Sequence, residues 1–241
     1  MESSGATVSS VRINHLCNLL RGTVRYLEIG VEAGSTFTQI RADSLVGVDP
    51  SPLLDIDTLP ERFDFWRGTS DSFFESYRGP AFDIIFLDGL HEASQTYRDL
   101  VAGVRVLNSG GFILIDDIWP TDFASAVPDR SDSKKMKTRQ GISHNRWYGD
   151  VYKVLAAVQV AHPEVSVQVI GNGITAHAQA LVWLEPGVRL ESTKRAKRLM
   201  KHVKYANYFG ASADGEISSP WREWVTDETF LGWMLDHFRA K

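Results

Sequence analysis

Val24-Arg25-Tyr26-Leu27-Glu28-Ile29-Gly30-Val31-Glu32-Ala33-Gly34 is the stretch on which the reading of this chain turns. Val24 to Gly30 is a short, mostly apolar run that reads as a strand, and the two glycines that follow read as a tight turn into Ser35–Arg41, a short helix. Working outward, Leu45–Asp49 and Phe63–Trp66 read as a second and a brief third strand. Phe82–Asp88 and Phe112–Asp116 are almost wholly apolar, as strands buried on both faces should be. Between them Tyr97, Leu100, Val101, Val104 and Leu107 recur at helical spacing, with Gly110-Gly111 as the expected stop. Val11, Ile13, Leu16, Leu19 and Leu20 predict a helix before the first strand. Val151, Val154, Leu155 and Val158 predict a later one, with Asp150 as its N-cap. Val165–Ile170 and Ala180–Leu184 close the series as strands. Strands alternating with helices predict an α/β fold built on a doubly wound, mostly parallel sheet.

The 241 residues suit one compact domain with a small appendage, here placed at 1–188 and 189–241. Twenty-six Lys and Arg against thirty Asp and Glu leave a net charge of −4, which argues against a nucleic-acid partner. No apolar run reaches the ~18–20 residues of a membrane span. Met1-Glu2-Ser3-Ser4-Gly5 lacks the character of a signal peptide, and Cys17 is the only cysteine, so a cytoplasmic setting is expected. Residues 118–149 form a long polar connection containing Lys134, Lys135, Lys137 and Arg139. Connections of that length are usually functional, and this one reads as a substrate lid, with a solvated loop as the alternative. The C-terminal extension carries a basic helix (Lys194, Arg195, Lys197, Arg198, Lys201, Lys204) followed by Trp221, Trp224 and Trp233. That pattern fits a solvated helix with a packing anchor, or else an interface for a second copy in a homodimer or for an extended substrate.

The turn is spaced Gly30-x-x-x-Gly34, not the G-x-G-x-x-G that seats a pyrophosphate on a helix N-terminus. Glu28 and Glu32 put negative charge beside it, which suits the sulfonium cation of S-adenosylmethionine better than a phosphate. Asp49, 21 residues beyond Glu28, ends the second strand, where a carboxylate can accept from both ribose hydroxyls. Gly68-Thr69-Ser70-Asp71 after the third strand is placed to flank an adenine. Across residues 11–185 the sequence resembles the class I S-adenosylmethionine-dependent methyltransferases. The resemblance implies a Rossmann-like sheet of seven strands, the last antiparallel. It also implies cofactor contacts at Glu28, Gly30, Gly34, Ser35, Asp49, Ser70 and Asp88.

In that topology the first, fourth and fifth strands are neighbours, so Gly30, Asp88 and Asp116 stand at adjacent tips. Carboxylates converging there repel unless a cation or protons neutralise them. Asp88, Asp116 and Asp117 are therefore candidate ligands for Mg²⁺, with Mn²⁺ possible. A metal would lower the pKa of an acceptor hydroxyl, and a base must then take its proton. His91, three residues past Asp88, and His144, in the lid, are the candidate catalytic bases. His15, His162, His177, His202 and His237 lie outside this rim. Asp88-Gly89-Leu90-His91, Ile115-Asp116-Asp117 and Trp147-Tyr148-Gly149-Asp150-Val151-Tyr152-Lys153 are similar to metal-dependent sugar O-methyltransferases of the macrolide-sugar or methylmannose-polysaccharide type. Catechol-type relatives usually end the fifth strand with Asp-Asn, which Asp116-Asp117 departs from. Trp119, Trp147 and Tyr148 are placed either to stack on a pyranose ring or to close the lid hydrophobically. The competing functions are methylation of another small molecule (catechol or polyol), nicotinamide-dependent oxidoreduction, which the absent G-x-G-x-x-G disfavours, and a non-catalytic scaffold, which the intact acidic tips disfavour. An oligosaccharide or small-molecule acceptor is the expected partner.

Overall fold

Strand β1 (Arg25–Ile29) lies inside the sheet, where the chain's crossovers reverse direction. It pairs in parallel with β2 (Ser44–Val48) on one side and β4 (Phe82–Leu87) on the other. The computed structural model describes residues 5–171, 177–205 and 224–238. Outward from β2 comes β3 (Phe63–Trp66), and outward from β4 comes β5 (Leu107–Ile115), both parallel. Beyond β5 the sheet continues with β7 (Gln179–Leu184), antiparallel to both β5 and β6 (Val165–Ile170). The expected seven strands are thus present, the seventh antiparallel and inserted between β5 and β6. A two-residue strand, β8 (Trp224–Val225), adds an eighth at the β6 edge.

The period of two in the strands sorts the core into two layers. Leu27, Ile29, Ile85, Leu87, Ile113 and Ile115 face the layer closed by α3 (Ala93–Arg105), α5 (Tyr152–Ala161) and α6 (Lys194–His202). Tyr26, Ile84, Phe86, Phe112 and Leu114 face the other, where α1 (Val8–Leu19) meets α7 (Asp227–Phe238). A shorter helix, α2 (Ser70–Ser76), follows β3 with Thr69 as its N-cap. Helix α7 therefore contributes Phe230 and Met234 to one core layer. Trp233 packs edge-on against Trp183 at 5.9 Å between ring centroids, the packing-anchor reading of the extension. Trp221 and the side chain of Trp224 lie outside the described residues. Among the described residues no helix is long and apolar enough to cross a membrane.

Three local expectations give way to tertiary structure. Ser35–Arg41 supplies only a three-residue 3-10 turn, Phe37–Gln39, so no helix dipole points at the β1 turn. Gly110-Gly111 does not stop α3, which ends at Arg105. Both glycines lie inside β5, where a register shift absorbs the extra residues and a Cβ at Gly111 would meet the Asp83 carbonyl oxygen at 2.7 Å. The 118–149 connection contains an eleven-residue helix of its own, α4 (Arg130–Gln140), capped by Asp129 and ended by Gly141 in the left-handed region at φ +68°.

One buried cation ties the termini together. Arg12, 2 % exposed, donates to both carboxylate oxygens of Asp227 (2.6 and 2.9 Å), to the His177 carbonyl and to Gln179 Oε1. Removing it strands those acceptors, though Asp227 is half exposed and regains water. Arg12→Ala is expected to cost about 3 kcal/mol and to raise amide exchange at Phe230 and Met234 more than in the α3 layer; equal protection in both layers would refute this coupling.

Candidate active site

The backbone crosses itself at the tips of β1 and β4. Gly30 adopts φ +87°, and a Cβ there would sit 2.1 Å from the Asp88 carbonyl oxygen, so no other residue fits. Gly34 (φ +73°) closes the turn with its N–H on the Val31 carbonyl at 2.8 Å. Asp49 braces it from β2: one oxygen accepts from Val31 and Glu32 N–H (3.1 and 2.9 Å), the other from Ser51 N–H (2.7 Å).

Over this crossing lies a cleft of about 480 Å³, lined by Glu28, Gly30, Glu32, Ser35, Asp49, Asp88, His91, Asp116 and Asp117 together with Arg130, Asn145 and Trp147. A second cavity of about 300 Å³ shares Gly30, Asp49, Gly89 and Leu90 with it and is walled by Thr69, Ser70 and Asp71. There Gln95 Nε2 donates to Ser70 Oγ (3.0 Å) and to Asp99 Oδ1 (2.9 Å). Glu32, His91 and Asp117 hold positive φ (+46°, +58°, +61°) without being glycine, and all three line the larger cleft. Such strain costs of order 1–3 kcal/mol per residue and concentrates at functional sites.

His91 is held from three sides. Its Nδ1 lies 2.7 Å from Asp117 Oδ2 and 3.1 Å from the Trp147 carbonyl oxygen. Both are acceptors, so Nδ1 carries the proton, and Nε2 faces Asp88 Oδ1 at 3.6 Å. The Trp147 indole stacks on the imidazole, 4.8 Å between centroids and 5° from parallel. The segment Trp147–Asp150 docks here because Gly149 (φ +58°) leaves space: a Cβ would lie 1.7 Å from the His91 carbonyl oxygen. Asp150 does not cap its own helix with its side chain. Its carboxylate instead accepts from Ala93 N–H at the start of α3 (2.7 Å) and pairs with Lys153 (2.7 Å).

Asp88, His91 and Asp117 each offer a ligand atom, and these atoms lie within 4.8 Å of one another. Asp116 lines the cleft but is engaged from behind: Oδ2 accepts from Gln179 Nε2 (3.1 Å) and Ser9 Oγ (3.5 Å), and Oδ1 from Asp117 N–H (2.8 Å). His144 is not brought to this rim; it occupies an adjacent cavity with Nε2 3.1 Å from Asp122 Oδ2. Trp119 and Tyr148 are buried as lid closure, which leaves Trp147 as the lid aromatic on the cleft. The sequence reading did not single out Arg130, Asn145, Gln95 or Asp99. For Asp99 a signal existed, an acid on the buried stripe of an amphipathic helix.

Residues 27–118, from β1 through the rim carboxylates, match the family model described as a methyltransferase domain. Those residues are less than half of the chain, so the match is a likeness to a methyltransferase domain over this segment. Rv0187 from MTB, solved with cofactor bound, superposes with a TM-score of 0.54 at 16 % identity, covering 76 % of this chain and 82 % of that one. A protein from Staphylococcus aureus described as a caffeoyl-CoA O-methyltransferase superposes at 0.51 and 15 % identity, covering 73 % and 83 %. At these identities the likeness is one of fold. No curated protein matches the sequence.

The electrostatics of the cleft follow from its crowded acids. Burial pushes Glu28 up to about 8, although Tyr26 O–H donates to it and opposes the rise. Burial and the neighbouring Asp117 push Asp116 up to about 6. Asp88 is raised well above the usual carboxylate range by its withdrawal from bulk water and by Asp116, Asp117, Glu28 and Glu32. Burial opposes charge on His91, but Asp117, its hydrogen bond and Asp116 outweigh that and raise it.

Groups with raised carboxyl pKa bind protons more readily folded than unfolded, so their contribution is full below the unfolded pKa near 4 and is lost as pH rises through the folded value. For Glu28 and Asp116 that window runs from about 4 to about 8. Ligand-free protein is expected to melt lower at pH 8.5 than at pH 5.5. Asp88→Asn should recover about 2–4 °C at the higher pH, the shift ~1 kcal/mol gives a chain of this size; an Asp88→Asn protein that melts lower at pH 8.5 would contradict the repulsion. Gly149→Ala, which puts a Cβ into the His91 carbonyl, should destabilise by about 2–4 kcal/mol in denaturant titration, against less than about 1 for Gly232→Ala, whose Cβ meets no atom on a helical backbone.

Proposed function

We propose that this domain is an S-adenosylmethionine-dependent O-methyltransferase that acts on a sugar hydroxyl with the help of Mg²⁺, or of Mn²⁺ in its place. The observation that carries the reading is the meeting of Asp88, His91 and Asp117 at the crossing of the β1 and β4 turns, beside the acidic Gly30 turn. Likeness in fold to a cofactor-bound relative and to the S. aureus protein described as a caffeoyl-CoA O-methyltransferase supports a bound cofactor and an oxygen acceptor.

The donor set fits a hard dication. Six carboxylates line the cleft against Arg130 as a cation, and Asp88 and Asp117 offer oxygens within reach of one centre. Those two carboxylates would hold the ion, and Asp116, engaged by Gln179, Ser9 and the Asp117 amide, fixes the loop that presents Asp117. A dication bound there supplies positive charge that lowers the pKa of an acceptor hydroxyl. S-adenosylmethionine, when bound, supplies the electrophilic methyl group.

The remaining work is done by the chain. His91 Nε2 is the proton acceptor, because Nδ1 is already committed to Asp117 and the Trp147 carbonyl. Stacking against Trp147 holds the imidazole plane, so the lone pair on Nε2 points in one direction. Glu32, and Glu28 once an adjacent sulfonium favours its ionised form, offer negative charge to the methyl donor, and Asp49, with Ser35 and Ser70, offers acceptors for the nucleoside. Trp147, with Asn145 and Arg130, presents an aromatic edge and polar groups to a pyranose.

Formation of S-adenosylhomocysteine with sugar acceptors, with and without EDTA, tests this reading. Chelation and Asp88→Asn should each lower turnover at least a hundredfold, while Asp88→Asn leaves S-adenosylmethionine affinity within about threefold, the pattern of a group that acts on the acceptor. Undiminished turnover in chelator would remove the metal. Glu28→Gln should weaken S-adenosylmethionine by about tenfold and S-adenosylhomocysteine by less than threefold, since only the former carries the sulfonium charge; equal losses would take Glu28 away from the methyl donor.

A further inference from the structure

Next to the acidic cleft lies a cavity of opposite character. About 380 Å³ in volume, it sits between α4 and the segment 142–147 and is lined by Arg130, Lys134, Lys137 and His144. It shares Arg130, Asn145 and Trp147 with the larger cleft, so the two are continuous across the indole that stacks on His91.

Its three Arg and Lys side chains have no carboxylate partner among the described residues, although the Arg130 guanidinium lies over the Trp147 indole at 5.8 Å. Among the described residues no carboxylate lies within ion-pair distance of Arg130, Lys134 or Lys137, whereas Lys135 on the outer face of the same helix pairs with Asp132. Lys137 is 5 % exposed and donates to the Arg146 carbonyl, a neutral partner for a buried ammonium. Burial lowers its pKa, only partly offset by Asp122. An independent sign comes from His144: its Nδ1 is buried without a hydrogen-bond partner, while Nε2 is committed to Asp122. Asp122 itself is turned toward Ser125, Thr121 and His144 and does not line the cavity. An oxyanion seated among these groups would accept from Lys134, from Arg130 and from a protonated His144 Nδ1, and would answer each unpaired donor.

We propose that this cavity binds an anionic substituent, carboxylate or phosphate, of the methyl acceptor, so that the acceptor is an acidic sugar. The inference rests on the methyltransferase reading above and narrows its substrate class. Charge separates the two compartments: six acids in the cleft repel an anion, and four basic side chains beyond Trp147 receive it. An acidic acceptor is thereby held with its neutral hydroxyls toward His91, and orientation comes from the charge pattern rather than from shape alone.

Calorimetric titration of the full chain with glucuronate, glucose 6-phosphate, glucose and, in parallel, S-adenosylhomocysteine tests this. The expected result is that at least one charged sugar binds ten times more tightly than glucose, the tighter of the two identifying the anion as carboxylate or phosphate. Lys134→Gln should weaken that sugar at least fivefold and Lys135→Gln by less than twofold, with S-adenosylhomocysteine unchanged in both. The His144 Nδ1 resonance in ¹⁵N spectra should shift on saturation with the charged sugar and not with glucose. Equal binding of all three sugars, no binding of either charged one, or equal losses in the two lysine variants would overturn the proposal. Failure of S-adenosylhomocysteine to bind would instead count against the methyltransferase reading, which the sugar titrations do not depend on.

Discussion

Repulsion among the acids at the tips of β1, β4 and β5 governs how this site is built. Glu28, Glu32, Asp49, Asp88, Asp116 and Asp117 share one cleft, and in a partly dry space like charges a few ångström apart interact far more strongly than in water. The fold relieves part of this by giving several of them protein partners. Asp49 takes three backbone N–H groups, Asp116 takes Gln179, Ser9 and an amide, and Glu28 takes the Tyr26 hydroxyl. Glu32 is exposed to solvent, and of the other five Asp88 receives least, with His91 Nε2 at 3.6 Å as its partner. The residue left least satisfied is the one at the switch point of the sheet, where a cationic ligand would have most to gain.

Those partners reach far along the chain. Gln179 on β7 links Asp116 to Ser9 on α1 and to Arg12, and Arg12 continues to Asp227 on α7. The rim carboxylate is thus oriented by residues from both ends of the sequence, and the C-terminal helix, which also closes one core layer through Phe230 and Met234, is part of the support of the site. The family match, confined to residues 27–118, covers the rim itself but not this bracing.

The 118–149 connection does a related job from above. Trp147 stacks on His91, its carbonyl accepts from Nδ1, and Asp150 receives the first amide of α3, so one segment fixes the imidazole, its tautomer and the helix that follows it. Lys137 and Ser125 both donate to the Arg146 carbonyl, which pins the segment to α4 and to the turn before it. The same packing creates the boundary between the acidic cleft and its basic neighbour.

Much of this was legible from residues alone, because local rules are strong where they agree. The succession of strands and helices along the chain, the Gly30 turn, the acid after β2 and the acids after β4 and β5 follow from hydrophobic period, from a glycine where backbones touch and from charge at strand ends. The order of strands in the sheet, by contrast, was only what the family resemblance implied. Periodicity could not reveal that Gly110-Gly111 serves a close approach to Asp83 within β5, since a glycine that ends a helix and one that admits a neighbouring backbone look alike in sequence. Nor could it assign Asp150 to Ala93, 57 residues away, or send His144 to Asp122 and away from Asp88. The sequence by itself determined which chemical groups stand at the carboxyl ends of the strands, because strand direction and side-chain alternation are local properties. Only the tertiary structure decided which of those groups meet, since hydrogen bonds and ring stacking between distant segments depend on how the loops pack over the sheet.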